Sequence, residues 1–395
     1  FLQYTRHLPK AHWKTRAYHN KIIHRMDDSQ RPDVPVRMDM PGWSTTTGVY
    51  TQITGTSHRK ATFNAHTNRS LAEMTMYAPG EKDMFMLTWP GVRTSEFDLF
   101  LEDKIPLTSA LSLQASTGVS FHRQGRSADF QGLDIFFPGA PPQRNRLLTR
   151  VSGAFTFQKQ SFKTSLRLGH SERAPSVSEA FGFYLFNSSD RFDYIGNPEL
   201  RKEKGLQVAW SGSYQTPLFK TEVEFNSFHL RDYILGRYDP ALSPMTLGAE
   251  GVKIYRNLNS ATLYRFRWQG NVLLHRDVSV QVSAVKQLGR AADYGYLPFM
   301  QPLTATGALR WDTRHLGVTL SVEAAEKQSR LDLASAERPS PAYAVMHLHA
   351  STELGPFQCR AGIENIWDTY YTTYADWNKI PRMGRNVLFN VIWNF

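Results

Sequence analysis

Apolar and polar residues alternate with period two in segment after segment, and this constrains the fold more than any other feature of the chain. The last ten residues are the clearest case. Val387, Phe389, Val391, Trp393 and Phe395 share one face, and the opposite face begins with Asn386 and includes Asn390 and Asn394. Such alternation is a strand with one greasy and one polar side. Leu111, Leu113, Ala115, Val119 and Phe121 likewise oppose Ser112, Gln114, Ser116, Ser120 and His122, and Val278, Val280 and Val282 oppose Ser279, Gln281 and Ser283. Phe155/Phe157, Phe162/Leu166/Leu168, Phe219/Val223/Phe225 and Leu316/Val318/Leu320/Val322 repeat the pattern. About sixteen or seventeen such segments are readable, with no helical segment and no domain boundary.

Charged residues recur on the polar faces, which favours a wet interior over a packed core. A soluble sandwich also carries polar outer faces, but this many strands without a helical domain suits a large barrel better. The mean hydropathy of −0.43 does not decide between them. No run approaches the roughly 18 apolar residues of a membrane helix, yet a barrel hides its membrane signal because only alternate residues face lipid. The 9 Trp, 17 Tyr and 24 Phe suit aromatic girdles or a sandwich core equally.

The formal charge is +11 and the isoelectric point about 9.6. No basic cluster with interleaved aromatics accompanies that charge, so no nucleic-acid partner is expected. Cys359 is the single cysteine, which excludes an internal disulfide, and it is expected to be a small buried side chain. The chain opens FLQYTRHLPK, without an initiator Met or signal peptide, as both a mature secreted protein and a fragment would.

Connections alternate between short and long. Tight turns are expected near Gln160-Ser161, Thr216-Pro217 and Arg276-Asp277, and irregular stretches over 77–95, 125–143, 173–205, 237–259, 290–300, 329–341 and 369–385. Short turns on one rim and long loops on the other mark an outer-membrane barrel.

Residues 173–204 carry Arg173-Ala174-Pro175-Ser176 with Glu179, then Gly196-Asn197-Pro198, Leu200, Glu203 and Lys204. Near the C-terminus come Glu364-Asn365-Ile366-Trp367-Asp368 with Tyr371, and Ile380-Pro381-Arg382-Met383-Gly384-Arg385-Asn386. In this order, on a chain closing with an aromatic strand, these motifs resemble the barrel of TonB-dependent outer-membrane receptors. The resemblance covers essentially the whole chain, residues 1–395. It implies an all-β, transmembrane antiparallel β-barrel in the outer membrane of a Gram-negative bacterium, in contact with lipid and lipopolysaccharide. It also implies transport rather than enzymatic activity. Family barrels have about 22 strands around a plugged lumen. With sixteen or seventeen strands and no recognisable plug, a partial barrel is expected, coupled to TonB through a plug segment not contained here.

Methionine is unevenly distributed: 7 of 11 precede residue 87. Met38/Met40, Met74/Met76 and Met84/Met86 form i, i+2 pairs, three where composition predicts about 0.3. In a strand such pairs point the same way, and thioethers with imidazole suit a soft ion, Cu(I) first. Met84/Met86, within MFMLTW, equally suit gap-filling or lipid contact. Met38/Met40, beside Arg37 and Asp39, are expected in a polar loop. His24-Arg25-Met26-Asp27-Asp28, then Arg31-Pro32 and Met38-Asp39-Met40, resembles the copper-receptor (OprC/NosA-like) branch of the family. The resemblance implies His24 and Met26 as copper ligands, with Met38 and Met40 as further candidates and the remaining ligands on the plug. His7, His12, His19, His58 and His66 crowd the same region as lumen polar residues, and His347/His349 stay unassigned. No cofactor is expected; copper is cargo.

Two alternatives remain. A receptor for a ferric siderophore, haem or cobalamin would use loop residues such as Arg191, Phe192 and Tyr194. A passive porin or an adhesin would need no coupling at all. No paired carboxylates or Ser/His/Asp set suggest an enzyme.

Overall fold

A computed structural model describes the chain except for residues 29, 31–35, 56–57, 81, 334–336, 377–378 and 394–395. Arg31, Pro32, Asn394 and Phe395, which figure in the sequence motifs, lie outside the described residues. The first strands are β1 (Leu2–Leu8), β2 (Ala11–Asp27), β3 (Arg37–Gly55), β4 (Lys60–Tyr77), β5 (Met84–Pro106), β6 (Leu111–Gly125), β7 (Gln143–Lys159) and β8 (Phe162–Arg173). Two short strands follow, β9 (Leu185–Asn187) and β10 (Phe192–Ile195), then β11 (Glu203–Gln215), β12 (Phe219–Tyr238), β13 (Val252–His275), β14 (Val278–Ala291) and the two-residue β15 (Gly295–Tyr296). The chain continues with β16 (Thr304–Asp312), β17 (Leu316–Ala325), β18 (Tyr343–Leu354), β19 (Phe357–Glu364) and β20 (Asn386–Trp393).

Seventeen of these form one antiparallel meander, each pairing with the next: β1 to β8, β11 to β14, and β16 to β20. The count agrees with the alternation. Among the described residues β1 and β20 pair on one side only, so the sheet is open between them. The short β9, β10 and β15 decorate the long connections, and β10 pairs parallel to the start of β13.

Connections of two to four residues, at 9–10, 56–59, 107–110, 160–161, 216–218, 276–277, 313–315 and 355–356, gather on one rim. Those at 28–36, 78–83, 126–142, 174–202, 239–251, 292–303, 326–342 and 365–385 gather on the other. Several strands run deeper into the long-loop rim than the loop-like composition suggests. β5 begins at Met84 and β13 at Val252, so 84–95 and 252–259 are strand rather than irregular chain. Met38 and Met40, expected in a polar loop, lie in β3. The ladder explains the difference, because cross-strand pairing supplies hydrogen bonds that local composition does not announce. Among the described residues the complete helical elements are two short pieces, α1 (Val177–Phe181) and a 3-10 turn at Gly132–Ile135.

The two sheet faces differ as the alternation requires. Phe63, Phe97, Leu99, Leu101, Phe121, Val151 and Phe155 stand exposed on one face; Asn64, His66, Asp98, Ser120 and His122 occupy the other, joined by side-chain hydrogen bonds such as Asn64 Nδ2 to Asp98 Oδ2 at 2.9 Å. Aromatics collect on the apolar face near the short turns, where Tyr4 packs on Trp13, Phe157 on Phe162, Tyr214 on Phe219 and Phe357 on Trp393. A band of aromatics at one rim is the arrangement that an interfacial girdle requires. Cys359, expected to be buried, is half-exposed on β19 opposite Val391 of the same apolar face. Among the described residues no helix is long and apolar enough to cross a membrane, which is silent about crossing by strands.

Candidate functional site

The seven methionines that precede residue 87 lie on one face at one end of the sheet. Met26 on β2 stands opposite Met40 on β3. Met38 on β3 stands opposite Met76 on β4, and Met76 opposite Met84 on β5. Met74 stands opposite Met86. Directly paired residues have Cβ atoms about 4.5–5.5 Å apart, so the thioethers form a continuous ladder across four strands. Alternation places the ladder on the polar face, in the same parity as Tyr50, Asn64 and His66, at the long-loop rim. His24 shares that face, two residues from Met26, and its cross-strand neighbour is Gly42, which has no side chain to obstruct the imidazole.

Exposure changes along the ladder. Met26 is 50% exposed, whereas Met74, Met76 and Met86 are 0%, 8% and 5% exposed. The buried end forms a core with Leu133, Ala180, Phe181, Tyr184 and Ile195, and Phe130, Phe136 and Phe183 pack against it. These partners belong to the 126–142 and 174–202 loops, which fold over β5. Phe183 N–H donates to Thr88 O at 2.9 Å, Ser127 N–H to Pro90 O at 2.9 Å, and Trp89 Nε1 to Ser178 Oγ at 3.2 Å. Met74, Met76 and Met86 therefore do the gap-filling expected of methionine in an irregular core. Met38, Met40 and Met84 are half-buried at its margin, and Met38 N–H donates to Asp28 Oδ1 at 2.9 Å.

The ladder thus joins residues that spacing alone kept apart. The i, i+2 pairs are visible in the sequence; the register that sets Met26 against Met40 and Met38 against Met76 is not. A set of thioethers with one imidazole offers soft neutral donors. Among the described residues no three His, Cys, Asp or Glu side chains converge on a metal-sized site, so any site here depends on sulfur. His347 and His349 lie on the polar face of β18 with their rings 6.4 Å apart. Asn365 N–H donates to His347 Nδ1 at 3.3 Å, and His349 Nε2 lies 3.6 Å from Glu364 Oε1.

Paired carboxylates do exist, contrary to the sequence expectation. Glu96 and Asp98 share the polar face of β5. Asp98 accepts hydrogen bonds from Asn64 Nδ2 and Ser120 Oγ, with Arg150 Nη2 3.6 Å away. Asp98 is thereby tied into the wall.

The family motifs form two staples at the base of the long loops. Arg173 at the end of β8 donates from Nη1 and Nη2 to both Glu179 oxygens, at 2.7 and 3.0 Å, and from Nε to Glu203 Oε2 at 2.6 Å. Glu203 Oε1 in turn accepts from Ile234 N–H at 2.7 Å. Ser176 and Glu179 make a capping box on α1, and Asn197 N–H donates to Glu179 O at 2.8 Å. The second staple joins the two C-terminal motifs. Asn365 Nδ2 donates to Thr369 O at 2.8 Å and Met383 O at 3.1 Å, and Arg385 N–H to Asp368 Oδ1 at 2.7 Å.

The model of the TonB-dependent receptor-like β-barrel matches residues 12–366. The chain belongs to the TonB-dependent receptor family. Family members are outer-membrane transporters rather than enzymes, so the polar face is the lumen wall and the apolar face meets lipid. Among solved structures the copper transporter OprC superposes with a TM-score of 0.82 at 16% identity, over 97% of this chain and 62% of that one. The ferric yersiniabactin uptake receptor FyuA from Yersinia pestis gives 0.69 at 10% identity, over 98% and 58%. The siderophore receptor PiuA from Acinetobacter baumannii gives 0.66 at 11%, over 98% and 63%. At these identities the likeness shows the fold. The TonB-dependent receptor barrel described here spans about three-fifths of those chains' length. No curated protein sequence matches it.

Proposed function

We propose that this chain is the barrel portion of a TonB-dependent receptor that takes up copper, with His24, Met26, Met38 and Met40 supplying barrel-side ligands. One observation carries the proposal: the register sets Met26 against Met40 on the lumen face that also bears His24. That group is at the exposed end of the thioether ladder, on the part of β2 that pairs with β3 alone among the described residues. Soft donors without charge favour Cu(I) over the hard, abundant divalent ions. The fold likeness to a copper transporter supports the same assignment. In the uptake cycle, these residues capture the ion, a plug completes its coordination, and TonB couples inner-membrane energy to release.

Uptake of a ferric siderophore, haem or cobalamin is the second reading, favoured by the likeness to two siderophore receptors. The loop residues it would use are engaged within the protein. Phe192 is buried, Tyr194 Oη donates to Asp190 Oδ2 at 2.6 Å, and Arg191 pairs with Glu250 at 3.1 Å.

The experiment is the metal content of the membrane-extracted protein after exposure to copper salts, or to iron with and without an organic chelator. About one copper per chain, lost when His24→Ala and Met26→Ala are combined, is expected. Copper bound equally by the double variant defeats the ligand assignment. Iron retained only with its chelator, and no copper, defeats the copper receptor.

A further inference from the structure

A groove opens on the lipid-facing side of β3 to β7, toward the short-turn rim. Its floor is made of small residues, Ala61, Ala115 and Thr117, and its walls of Ile53, Leu101 and Val151. The register explains the shape. Ile53, Ala61, Leu101, Thr117 and Val151 form one continuous outward row across five strands, and large side chains flank small ones. The groove has a volume of about 610 Å³ and is open on its lipid side. The walls are strongly exposed apolar residues, with Ile53 at 45%, Leu101 at 46% and Val151 at 54%, and they continue the belt that faces acyl chains.

One end of the groove is charged. Arg59, in the 56–59 turn, donates from Nε to Asp103 Oδ2 at 3.1 Å. Asp103 occupies one edge of the guanidinium and holds it at the mouth. The described residues place no partner on Nη1 or Nη2, and the side chain is largely exposed. Two parallel N–H donors on a guanidinium engaged only at Nε match a phosphate better than they match any other lipid group. Short turns are the periplasmic side of such a barrel, and the periplasmic leaflet of the outer membrane is glycerophospholipid.

We propose that this groove holds one glycerophospholipid of the periplasmic leaflet, with an acyl chain between Ile53, Leu101 and Val151 and the phosphate on Arg59. The site rests on family membership, the apolar face and Arg59; it is independent of the transported ion. Apolar contact gives the chain its hold on the groove, and the charge-assisted hydrogen bonds of Arg59 select the phosphate. Asp103 is a positioning residue.

The test is native mass spectrometry of the membrane-extracted protein, delipidated and incubated with dioleoylphosphatidylglycerol. One phospholipid should persist per chain under conditions that strip bulk lipid. Arg59→Ala should lower its retention about tenfold, the scale of one charge-assisted hydrogen bond. Ala115→Leu, which fills the floor with a side chain suited to a lipid face, should lower it comparably while the far-ultraviolet circular dichroism of the sheet is unchanged. Wild-type retention in both variants would reduce the groove to annular lipid and overturn the proposal. So would retention of lipopolysaccharide in place of phosphatidylglycerol. Copper retention should be unchanged in both variants.

Discussion

Met26 on β2 lies directly across the ladder from Met40 on β3, and this pairing makes the lumen methionines separable by experiment. Met40→Leu keeps the volume and costs under about 1.5 kcal/mol of stability, but it removes one thioether from the exposed end. Cu(I) affinity should fall on the order of tenfold or more, as losing a soft donor requires. Met74→Leu, at the buried end, should leave affinity unchanged. Competition titration against a Cu(I) chelator reads both, and an unchanged value for Met40→Leu removes Met40 from the site.

Met74 is fully buried beneath the 126–142 and 174–202 loops. Met74→Ala should leave a cavity costing about 2–5 kcal/mol locally. The cost should appear as faster hydrogen exchange in residues 130–137 and 180–184, which pack on it, and not in β16 to β18. Uniform exchange would mean that the loops stand without this contact.

Arg173 bridges Glu179 and Glu203 with three nitrogen donors, tying the 174–202 loop to β8, β11 and β12. A lysine cannot reproduce a bidentate contact plus a third bond. Arg173→Lys should therefore behave like Arg173→Ala, each costing the loop base about 1–3 kcal/mol. Limited proteolysis within 183–191 is the readout. Protection equal to the unmodified protein would show that the capping box and Asn197 hold the loop alone.

Gly196 sits against the backbone of α1. An added Cβ would lie 2.6 Å from Gly182 N and 2.7 Å from Phe181 N. Backbone atoms cannot yield as a flexible side chain does, so Gly196→Ala should cost about 1–3 kcal/mol, as overpacking does, and loosen the same loop. A protease pattern identical to the parent would refute the contact.

The strands were largely legible because period-two alternation needs no tertiary information; the terminal segment 386–393 and the Val278–Val282 run are strands as read. The shape of the long-loop rim was not. Met84–Met86 and Met38–Met40 look like loop or core because their strand character comes from pairing, and no single segment contains its partner's register. The same limit hid the ladder: Met26 and Met40 are 14 residues apart, and only the hairpin brings them together. The motifs carried the family, yet their role as staples emerges only when Arg173 reaches Glu203 and Asn365 reaches Met383 O. Glu96 and Asp98 were missed although their i, i+2 spacing was visible, because no neighbouring residue marked them as a pair.

Asp376 in the 365–385 loop gives a pH dependence of determinate sign. Burial alone would raise its carboxyl, but hydrogen bonds from Arg382 and Thr373 outweigh burial and hold it below the ordinary range. Arg382 Nε donates at 2.8 Å and Thr373 N–H at 2.7 Å. A folded value depressed below the unfolded one, about 3.9, contributes stability that is fully present above that unfolded value. It is lost as pH falls through about 4 toward the depressed folded value. Acid-stable protease cleavage within 365–385 should therefore be absent at neutral pH and rise below about pH 4. Asp376→Asn keeps an acceptor for Thr373 but has no proton to bind, so its cleavage should be higher at neutral pH and should lose this acid step. An acid step retained in Asp376→Asn would assign the transition to another group.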